Sequence, residues 1–492
     1  LPTGVAIDGD SVVRLLRDRT AWLEDAGIGV LLPSWWAHRS RLGLRARVKR
    51  SSPSPGANGG GAGLGMDAIV AFDWEVALGE ERLTKRDLTA LARAADWEQL
   101  LFRLRGQWVE IDPSRVGDLL DSAGTRAEAT ARELLRAGLG IDQLGVADGV
   151  EVVGVDASAL GWLSSLLDDA LHATVEPLPT PAGFEGVLRP YQERGAGWLA
   201  FLGRLGLGAC LADDMGLGKT AQLIATLLAD PAGQPTLVVC PVSVLGNWQR
   251  ELSRFAPELE VLVHHGPDRH GDDQQGFAGR AGVHDVVLTT YSLLARDLEQ
   301  LTSVAWGRVV LDEAQQIKNP ATAQAKAVQQ LDALRRVALT GTPVENRLSE
   351  LWSIMHVLNP GLLGSARSFR ERFALPIERD GDPEAIELLR RVTGPFVLRR
   401  LKTDRSIITD LPDKIETVDH CPLTREQATL YRAVVDDLLS GAAEAEGISR
   451  RGLVLAGLLR LKQICNHPAH FLADGSPLQG RSGKLTRVEE LL

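Results

Sequence analysis

The chain has 492 residues, of which 44% are hydrophobic and 24% are charged, and its formal net charge is −10. A chain of this length is expected to form about three globular domains, and its acidic balance argues against a protein that coats nucleic acid through bulk electrostatics. No apolar run approaches the roughly 20 residues of a membrane-spanning helix, and Leu1–Asp10 lacks the basic start and apolar core of a secretion signal.

Residues 1–176 are predicted to form a separate α+β module. The pattern of Met66–Thr84 predicts a strand and a turn, Leu83–Ala95 a helix, and Gly106–Asp112 a further strand. The Pro-rich stretch within residues 177–187 is the predicted linker to the rest of the chain. Most of the tryptophans lie in this module and are expected to be buried in its core: Trp22, Trp35, Trp36, Trp74, Trp97, Trp108 and Trp162.

A basic segment, His38–Arg50, precedes a Gly-rich stretch, Ser51–Gly65, inside the module. Its alternation of apolar and basic residues predicts an edge strand protected by positive charge and followed by a disordered tip. The alternative interpretation is a strand that lies along a DNA backbone. The Gly run is not predicted to hold phosphate, because no Gly-Lys-Ser or Gly-Lys-Thr follows it.

The segment Leu211–Thr220, LADDMGLGKT, is a Gly-rich turn between an apolar strand and a helix. Glycines let successive backbone N–H groups converge on phosphate oxygens, and the start of the helix adds the positive end of its dipole. Lys219 is therefore predicted to reach the β- and γ-phosphates of a nucleoside triphosphate, and Thr220 to bind the accompanying Mg²⁺. The loop departs from the strict consensus, which has Gly where this chain has Asp213. The predicted contacts within the loop are Asp214, Gly216, Gly218, Lys219 and Thr220.

A second motif, GRVVLDEAQ at Gly307–Gln315, supplies the acids that a magnesium–nucleotide site needs. The apolar strand delivers Asp312 to its carboxyl end, where α/β sheets place their ligands. Asp312 is predicted to bind Mg²⁺, and Glu313 to orient or deprotonate the attacking water. Either motif alone has a purely structural alternative, a plain turn or a helix cap, but the two together favour a nucleotide hydrolase.

Short apolar runs alternate with helical patterns around these motifs, which predicts βαβ units and a parallel sheet. A strand at Val337–Leu339 runs into TGTPVEN, so Thr340, Gly341 and the rest of Thr340–Asn346 are predicted to lie beside the nucleotide and sense its γ-phosphate. Helices are predicted at Lys219–Leu228 and Val244–Phe255. The other predicted strands are Gly208–Leu211, Thr236–Cys240, Val261–His264, Asp285–Thr289 and Arg308–Leu311.

A longer series of segments runs in order from Leu188 to the end of the chain. They are LRPYQERGAGWL (Leu188–Leu199), DDMGLGKT, CPVSVLGNW (Cys240–Trp248), TTYSLL (Thr289–Leu294), DEAQ with IKNP (Ile317–Pro320), the block Ala338–Gly364, PFVLRRLKTD (Pro395–Asp404), LPDKIE (Leu411–Glu416) and LRLKQICNHP (Leu459–Pro468). This series resembles that of the Swi/Snf-type ATPases of helicase superfamily two. The first module resembles the accessory domain of a bacterial subgroup of that family.

The resemblance implies an α/β fold of RecA-like lobes that close over ATP and Mg²⁺, and a DNA-dependent ATPase that translocates on duplex DNA or remodels its complexes. The implied first lobe spans residues 188–364, and a mainly helical connection spans residues 365–481. Gln192 is implied to read the adenine edge. Gln315, where many relatives have His, is implied to couple the site to motifs on the DNA side.

Ser482–Leu492 resembles the entry to the second lobe, which in this family supplies an arginine that stabilises the transferring phosphate. The chain stops there, so the expectation is a fragment that binds nucleotide but shows negligible DNA-stimulated hydrolysis. The basic cluster Arg399, Arg400 and Lys402 is predicted to be a solvated face, with DNA contact as the alternative.

The cysteines have no paired spacing, which is typical of a reducing compartment and predicts a cytoplasmic protein: Cys210, Cys240, Cys421 and Cys465. Cys465, His467 and His470 could suggest zinc, but a fourth ligand at a suitable spacing is missing, so the segment is interpreted as a helix end before a proline.

Two other functions remain open at this stage. One is an ATP-dependent switch without motor activity, in which the Trp-rich module docks a protein partner. Glu313 argues against this switch, because a switch needs no water-activating acid. The other is an RNA helicase, which usually has a short Ser-Ala-Thr motif where this chain has TGTPVEN.

Overall fold

The computed structural model describes residues 9–20, 23, 30–31, 42–49, 68–79, 81–96, 100–141, 144, 151–167, 171, 175–267, 269, 274–341, 347–404, 417–444 and 447–492. The chain divides into two compact units, Leu1–Asp410 and Leu411–Leu492. Within the described residues, no helix has the length and apolar character needed to cross a membrane.

The first unit begins with a mixed sheet whose strands have a buried and a less buried face. Along its longest strand Val70, Phe72, Trp74 and Val76 are buried in alternation with less buried residues, as the two-residue period of a strand requires. Within the described residues the sheet order is β3-β2-β1-β7, with β6 also paired to β2, and β4 and β5 form a separate hairpin. The strands are β1 (Leu42–Val48), β2 (Ile69–Leu78), β3 (Glu81–Arg82), β4 (Leu101–Leu104), β5 (Gln107–Glu110), β6 (Arg126–Thr130) and β7 (Val152–Asp156).

Five α-helices of the described residues accompany these strands: α1 (Gly9–Arg14), which a π-helical turn Leu15–Arg19 follows, α2 (Lys85–Asp96), α3 (Pro113–Ser122), α4 (Ala131–Gly138) and α5 (Gly161–Leu167). The start of α4 is fixed by a capping box, in which the Thr130 side chain accepts from the Glu133 backbone N–H and the Glu133 side chain accepts from the Thr130 backbone N–H. The predicted α+β character of this region is confirmed.

Two predictions about the first region are wrong. Strand β1 is not an edge strand, because it pairs with β2 on one side and β7 on the other. Its basic residues are neutralised by acids of the neighbouring strand: Arg47 contacts Glu75 at 3.2 Å, and Lys49, just after β1, contacts Asp73 at 2.5 Å. Trp108 is 44% exposed rather than buried. Trp22, Trp35, Trp36, Trp97 and the Gly-rich stretch lie outside the described residues.

The nucleotide motifs lie on a parallel sheet, as predicted. Within the described residues it has seven strands in the order β10-β11-β9-β12-β13-β8-β14, and every pairing is parallel. Strand β13 starts at Ala333 rather than at the predicted Val337, because Arg335 and Arg336 interrupt the apolar pattern that marked the strand. The strands are β8 (Ala209–Leu211), β9 (Thr236–Cys240), β10 (Val261–Val263), β11 (Val286–Thr290), β12 (Trp306–Asp312), β13 (Ala333–Leu339) and β14 (Val397–Leu398).

Helices connect these strands. They are α6 (Pro190–Arg204), α7 (Lys219–Ala229), α8 (Val242–Phe255), α9 (Gln274–Gly282), α10 (Tyr291–Arg296), α11 (Leu298–Thr302), α12 (Ala323–Gln330), α13 (Leu348–Leu358), α14 (Ala366–Phe369) and α15 (Pro383–Thr393), with 3₁₀ turns at Ala314–Ile317 and Gly394–Phe396 and π-helical turns at Arg370–Ala374 and Pro376–Asp380. Parallel strands all end at one edge of the sheet. The residues that follow β8, β12 and β13 therefore share the carboxyl edge.

The mixed sheet region and the parallel-sheet region of this unit are joined by reciprocal arginine contacts. Arg132 of α4 donates to the carbonyl of Pro360 at 2.9 Å, just beyond the end of α13. In the other direction, Arg372 donates to the carbonyl of Gly140 at 2.8 Å, just beyond the end of α4. Each arginine thus lies at the negative end of a helix dipole from the other region.

The second unit is helical, as predicted for this part of the chain. A small core of Val434, Leu461 and Ile464 holds it together. Helix α17 ends at Asn466 before Pro468, as predicted, and the His467 Nδ1 accepts from the Ala469 N–H at 3.0 Å to cap the next helix. Its helices are α16 (Arg425–Glu444), α17 (Gly447–Asn466), α18 (Pro468–Leu472) and α19 (Gly483–Leu491).

Candidate nucleotide site

The Gly-rich loop connects β8 to α7 at the carboxyl edge. Gly216 and Gly218 have φ of +83° and +74°, a region that side chains other than glycine rarely adopt. A Cβ on Gly218 would lie 2.4 Å from the Gln192 Nε2, so Gln192 packs directly against the loop. Helix α7 begins at Lys219, directly after the loop, and its first N–H groups point toward the loop. The loop therefore has the form of a phosphate cradle.

The side chain of Lys219 folds back into the loop. Its ammonium donates to the carbonyl oxygens of Asp213 at 2.6 Å and Asp214 at 3.4 Å. Burial lowers the pKa of Lys219, while the carboxylates of Asp213, Glu313, Asp312 and Asp214 act in the opposite direction. These interactions bring the loop lysine and the acids of the second motif into one electrostatic site.

Asp312, at the end of β12, is held from three directions. Its Oδ2 accepts from the Trp248 indole N–H at 2.7 Å, and its Oδ1 accepts from the Glu313 backbone N–H at 2.9 Å. The Tyr291 hydroxyl donates to its carbonyl at 2.8 Å. Burial raises the pKa of Asp312, and the neighbouring Glu313 charge adds to the rise, whereas the Trp248 hydrogen bond opposes it. The carboxylate is thus oriented and poorly solvated.

Glu313 has a φ of +50°, in the left-handed region that costs a side-chain-bearing residue about 1 kcal/mol or more. Strained backbone of this kind concentrates at functional sites. The Gln315 Nε2 donates to the Glu313 Oε2 at 2.7 Å, and the Thr340 hydroxyl donates to the Gln315 Oε1 at 3.0 Å. Gln315 therefore bridges the acid after β12 to the residue after β13, and an amide supplies both the donor and the acceptor.

The other predicted residues also border the loop. The Gln192 Nε2 donates to the Leu217 carbonyl at 3.1 Å. The Thr340 N–H donates to the Leu211 carbonyl at 3.1 Å, and a Cβ on Gly341 would lie 3.4 Å from Met215 Cγ. Thr220, half-buried, is in the first turn of α7. The remainder of the TGTPVEN motif, residues 342–346, lies outside the described residues.

The sequence pattern of the SNF2-related domain matches residues 191–470, more than half of the chain. The chain belongs to the SNF2-related family. A second pattern, described as SNF2 Helicase protein, matches residues 1–139. The Swi/Snf resemblance of the motif series is thereby confirmed.

This SNF2-related chain is similar to proteins from bacteria and from eukaryotes. It is 42% identical to a putative ATP-dependent helicase/translocase YwqA of Bacillus subtilis, over 98% of this chain and 54% of that protein. It is 37% identical to the chromatin-remodeling ATPase INO80 of Drosophila melanogaster, over 60% of this chain and 20% of that protein. The chain thus spans about half or less of the length of these relatives.

Among solved structures, the SWI2/SNF2 ATPase core of Sulfolobus solfataricus in complex with double-stranded DNA is similar at 48% identity. The match covers 64% of this chain and 66% of that chain, with a TM-score of 0.46.

Sequence reasoning missed the surroundings of the SNF2-related loop. Arg400 was predicted to be on a solvated face, with DNA contact as the alternative, but its side chain is buried and its guanidinium contacts the Asp213 carboxylate, with Nε to Oδ1 at 2.9 Å. Asp213, the residue that departs from the loop consensus, is fully buried. The only signal in the sequence for this contact was the acid at position 213, where the loop consensus has Gly, because a buried acid requires a partner.

The residues present fit Mg²⁺ and ATP. Magnesium prefers oxygen ligands, and the site offers the Thr220 hydroxyl and the oriented Asp312 carboxylate. Triphosphate needs a cation and free backbone N–H groups, which Lys219 and the glycine loop supply.

Proposed function

We propose that this chain binds Mg²⁺-ATP at the carboxyl edge of the parallel sheet and supplies the acids for ATP hydrolysis by a motor that acts on duplex DNA. One observation carries the proposal. The same edge of the sheet brings together the glycine loop with Lys219, the Asp312–Glu313 pair, and the Gln315 bridge to Thr340.

The roles follow from the chemistry of each group. Lys219 neutralises the β- and γ-phosphates, and the backbone N–H groups of Gly216 and Gly218 donate to the phosphate oxygens. The Asp214 N–H, also predicted to contact the nucleotide, instead donates to the Arg400 carbonyl at 3.0 Å. Thr220 and Asp312 hold Mg²⁺, which, when bound, neutralises the charge that develops on the phosphate oxygens. Gln192, beside the loop, reads the adenine edge.

Glu313 orients and deprotonates the attacking water. Its left-handed backbone fixes its direction, and its hydrogen bond to Gln315 transmits the state of Thr340 and Gly341, the γ-phosphate sensor, to the water-activating acid. Gln315 performs this coupling with an amide where many Swi/Snf-type proteins have His.

The action on duplex DNA is supported by family membership and by the Bacillus relative, whose name describes an ATP-dependent helicase/translocase. We also propose the division into an accessory domain (1–176), a linker (177–187), a first RecA-like lobe (188–364), a mainly helical connection (365–481) and an entry to a second lobe (482–492). Strand β14 of the connection joins the sheet of the first lobe. A cytoplasmic location, and a protein partner for the accessory domain, remain predictions.

The test is ATP turnover by the full gene product with duplex DNA, single-stranded DNA or RNA. We expect duplex DNA to stimulate turnover more than RNA does, with a stimulation that falls steeply as salt rises, because phosphate contacts release counterions. Equal or greater stimulation by RNA would favour an RNA helicase. Nucleotide binding without turnover in any condition would favour the ATP-dependent switch.

A further inference from the structure

A buried ion pair lies directly behind the phosphate loop. Asp213 has no exposed surface, and both of its carboxylate oxygens contact the Arg400 guanidinium, which is itself 5% exposed. The two residues are far apart in the sequence, and Arg400 follows β14, the strand that pairs with β8 at the edge of the sheet. Asp213, which stands where the loop consensus has Gly, therefore binds the segment that follows β14.

Arg400 also contacts the two helices that flank the loop. Its Nη2 donates to the Gln222 Oε1 of α7 at 2.6 Å, and its Nη1 donates to the Tyr191 carbonyl of α6. Gln222 completes the network by donating to the Asp213 Oδ2 at 3.2 Å. One guanidinium thus ties the loop to the helix that follows it and to the helix that carries Gln192.

The backbone extends the same connection. The Ala212 N–H donates to the Leu398 carbonyl at 2.7 Å, and the Asp214 N–H donates to the Arg400 carbonyl at 3.0 Å. In return, the Lys402 N–H donates to the Asp214 carboxylate at 3.0 Å. The segment after β14 therefore continues the pairing with β8 into the first half of the phosphate loop.

We propose that Arg400 is a positioning residue of the nucleotide site: through Asp213 and Gln222 it holds the phosphate loop in the conformation that receives the phosphates. The inference rests on the proposed function, because it assigns a second support to the same loop. Arg400 does not touch the nucleotide. Without Arg400 the loop samples other conformations. The apparent affinity for nucleotide then falls in proportion to the fraction of molecules whose loop is in the binding conformation.

A purely stabilising role is a poor explanation for this pair. Buried ion pairs are on average no more stabilising than apolar residues of the same volume, because desolvation offsets the attraction. Their best-attested use is to specify one arrangement among several. Here the arrangement specified is that of the loop. The fixed fork of the guanidinium makes four hydrogen bonds, two to the Asp213 carboxylate and one each to Gln222 and Tyr191, whereas a lysine ammonium has only three donors on one nitrogen.

The same lobe offers a matched control. Arg335 of β13 contacts Asp230 at 2.7 Å, in an Arg–Asp pair that is also largely buried but lies at the other end of α7, away from the loop. The experiment compares Arg400→Lys with Arg335→Lys, by thermal unfolding without ligand and by equilibrium titration with Mg²⁺-ATP and Mg²⁺-ADP. Both variants are expected to lower the Tm.

Only Arg400→Lys is expected to weaken nucleotide binding. The affinity falls about tenfold if the loop keeps its binding conformation in roughly one molecule in ten. The loss is expected for ATP and ADP alike, since the loop cradles the phosphates that both share. Arg335→Lys should keep the affinity within about twofold. An Arg400→Lys affinity within twofold of wild type, or an equal loss in both variants, would overturn the inference.

If Arg400→Lys does not fold, the double variant Asp213→Asn with Arg400→Gln removes both buried charges and keeps hydrogen-bonding side chains. The inference predicts weaker nucleotide binding in this variant too, and wild-type affinity in it would overturn the inference. Failure of the proposed function is distinguishable, because the wild-type protein itself would then not bind Mg²⁺-ATP.

Discussion

The two ends of helix α7 differ in how their backbone groups are satisfied. At its amino end, on the carboxyl edge of the sheet, the helix meets the glycine loop and its first N–H groups are available to an anion. At its carboxyl end the carbonyl of Asp230 accepts from Arg308 at 3.2 Å and from Arg335 at 3.1 Å. The protein supplies its own cations where the dipole is negative, and leaves the positive end for a ligand.

The strands repeat this contrast. Strand β12 carries Arg308 near its amino end, where the arginine is buried beside Asp230, and Asp312 at its carboxyl end, where the carboxylate is held open by Trp248. Buried charge alone therefore does not mark a functional site. A functional site is marked instead by a charged residue that lies beside free backbone N–H groups and an oriented, incompletely paired acid. In the described part of the chain, only the carboxyl edge combines these three features.

The largest expected effect is at the carboxyl edge. Glu313→Gln should retain Mg²⁺-ATP binding but lower turnover by the full gene product by about 100-fold or more, because the amide keeps the shape without the base. Titration and steady-state ATPase assays measure the two separately. Wild-type turnover in this variant would assign water activation to another residue.

A smaller effect is expected from Trp248→Phe, which keeps the ring but removes the indole N–H from Asp312. The hydrogen bond lowers the pKa of Asp312, so its loss raises that already elevated pKa further. Mg²⁺ requires the ionised carboxylate, and the variant should therefore lose Mg²⁺-dependent nucleotide binding at a higher pH than wild type as the solution is acidified. Affinity measured across a pH series, with and without Mg²⁺, tests this. Superimposable pH profiles would contradict the role of Trp248.

The smallest effect is expected at the amino edge. Arg308 is buried, its Nη1 has no hydrogen-bond partner among the described residues, and Arg335 alone can neutralise Asp230. Arg308→Met should therefore leave ATP affinity unchanged and shift the Tm by no more than about 4 °C in either direction. A large loss of ATP affinity would mean that the two edges are coupled, contrary to the comparison.

Local patterns were enough to predict much of this edge. Strand β9 and the start of α7 agree with the sequence prediction residue for residue, because a five-residue apolar run and a Gly-Lys-Thr helix start are unambiguous locally. The contact between Trp248 and Asp312 was out of reach, since it joins the middle of a helix to the end of another strand. The Asp213–Arg400 pair depends in the same way on β14 joining the sheet beside β8.

The first region was predicted less well for a related reason. Alternation located β1, but alternation does not reveal how many neighbours a strand has, and the parallel pairing with the distant β7 made it an interior strand. The basic residues Arg47 and Lys49 were interpretable only once Glu75 and Asp73 of β2 lay beside them.

Equilibrium titration of wild type, Lys219→Ala and Arg308→Met with Mg²⁺-ATP tests the central claim most directly. The account predicts saturable binding by wild type and Arg308→Met with equal affinity, and a loss of tenfold or more in Lys219→Ala, because the lost charge-assisted contacts are worth about 1.5–3 kcal/mol. Equal affinity in wild type and Lys219→Ala would contradict the assignment of the triphosphate to the carboxyl edge.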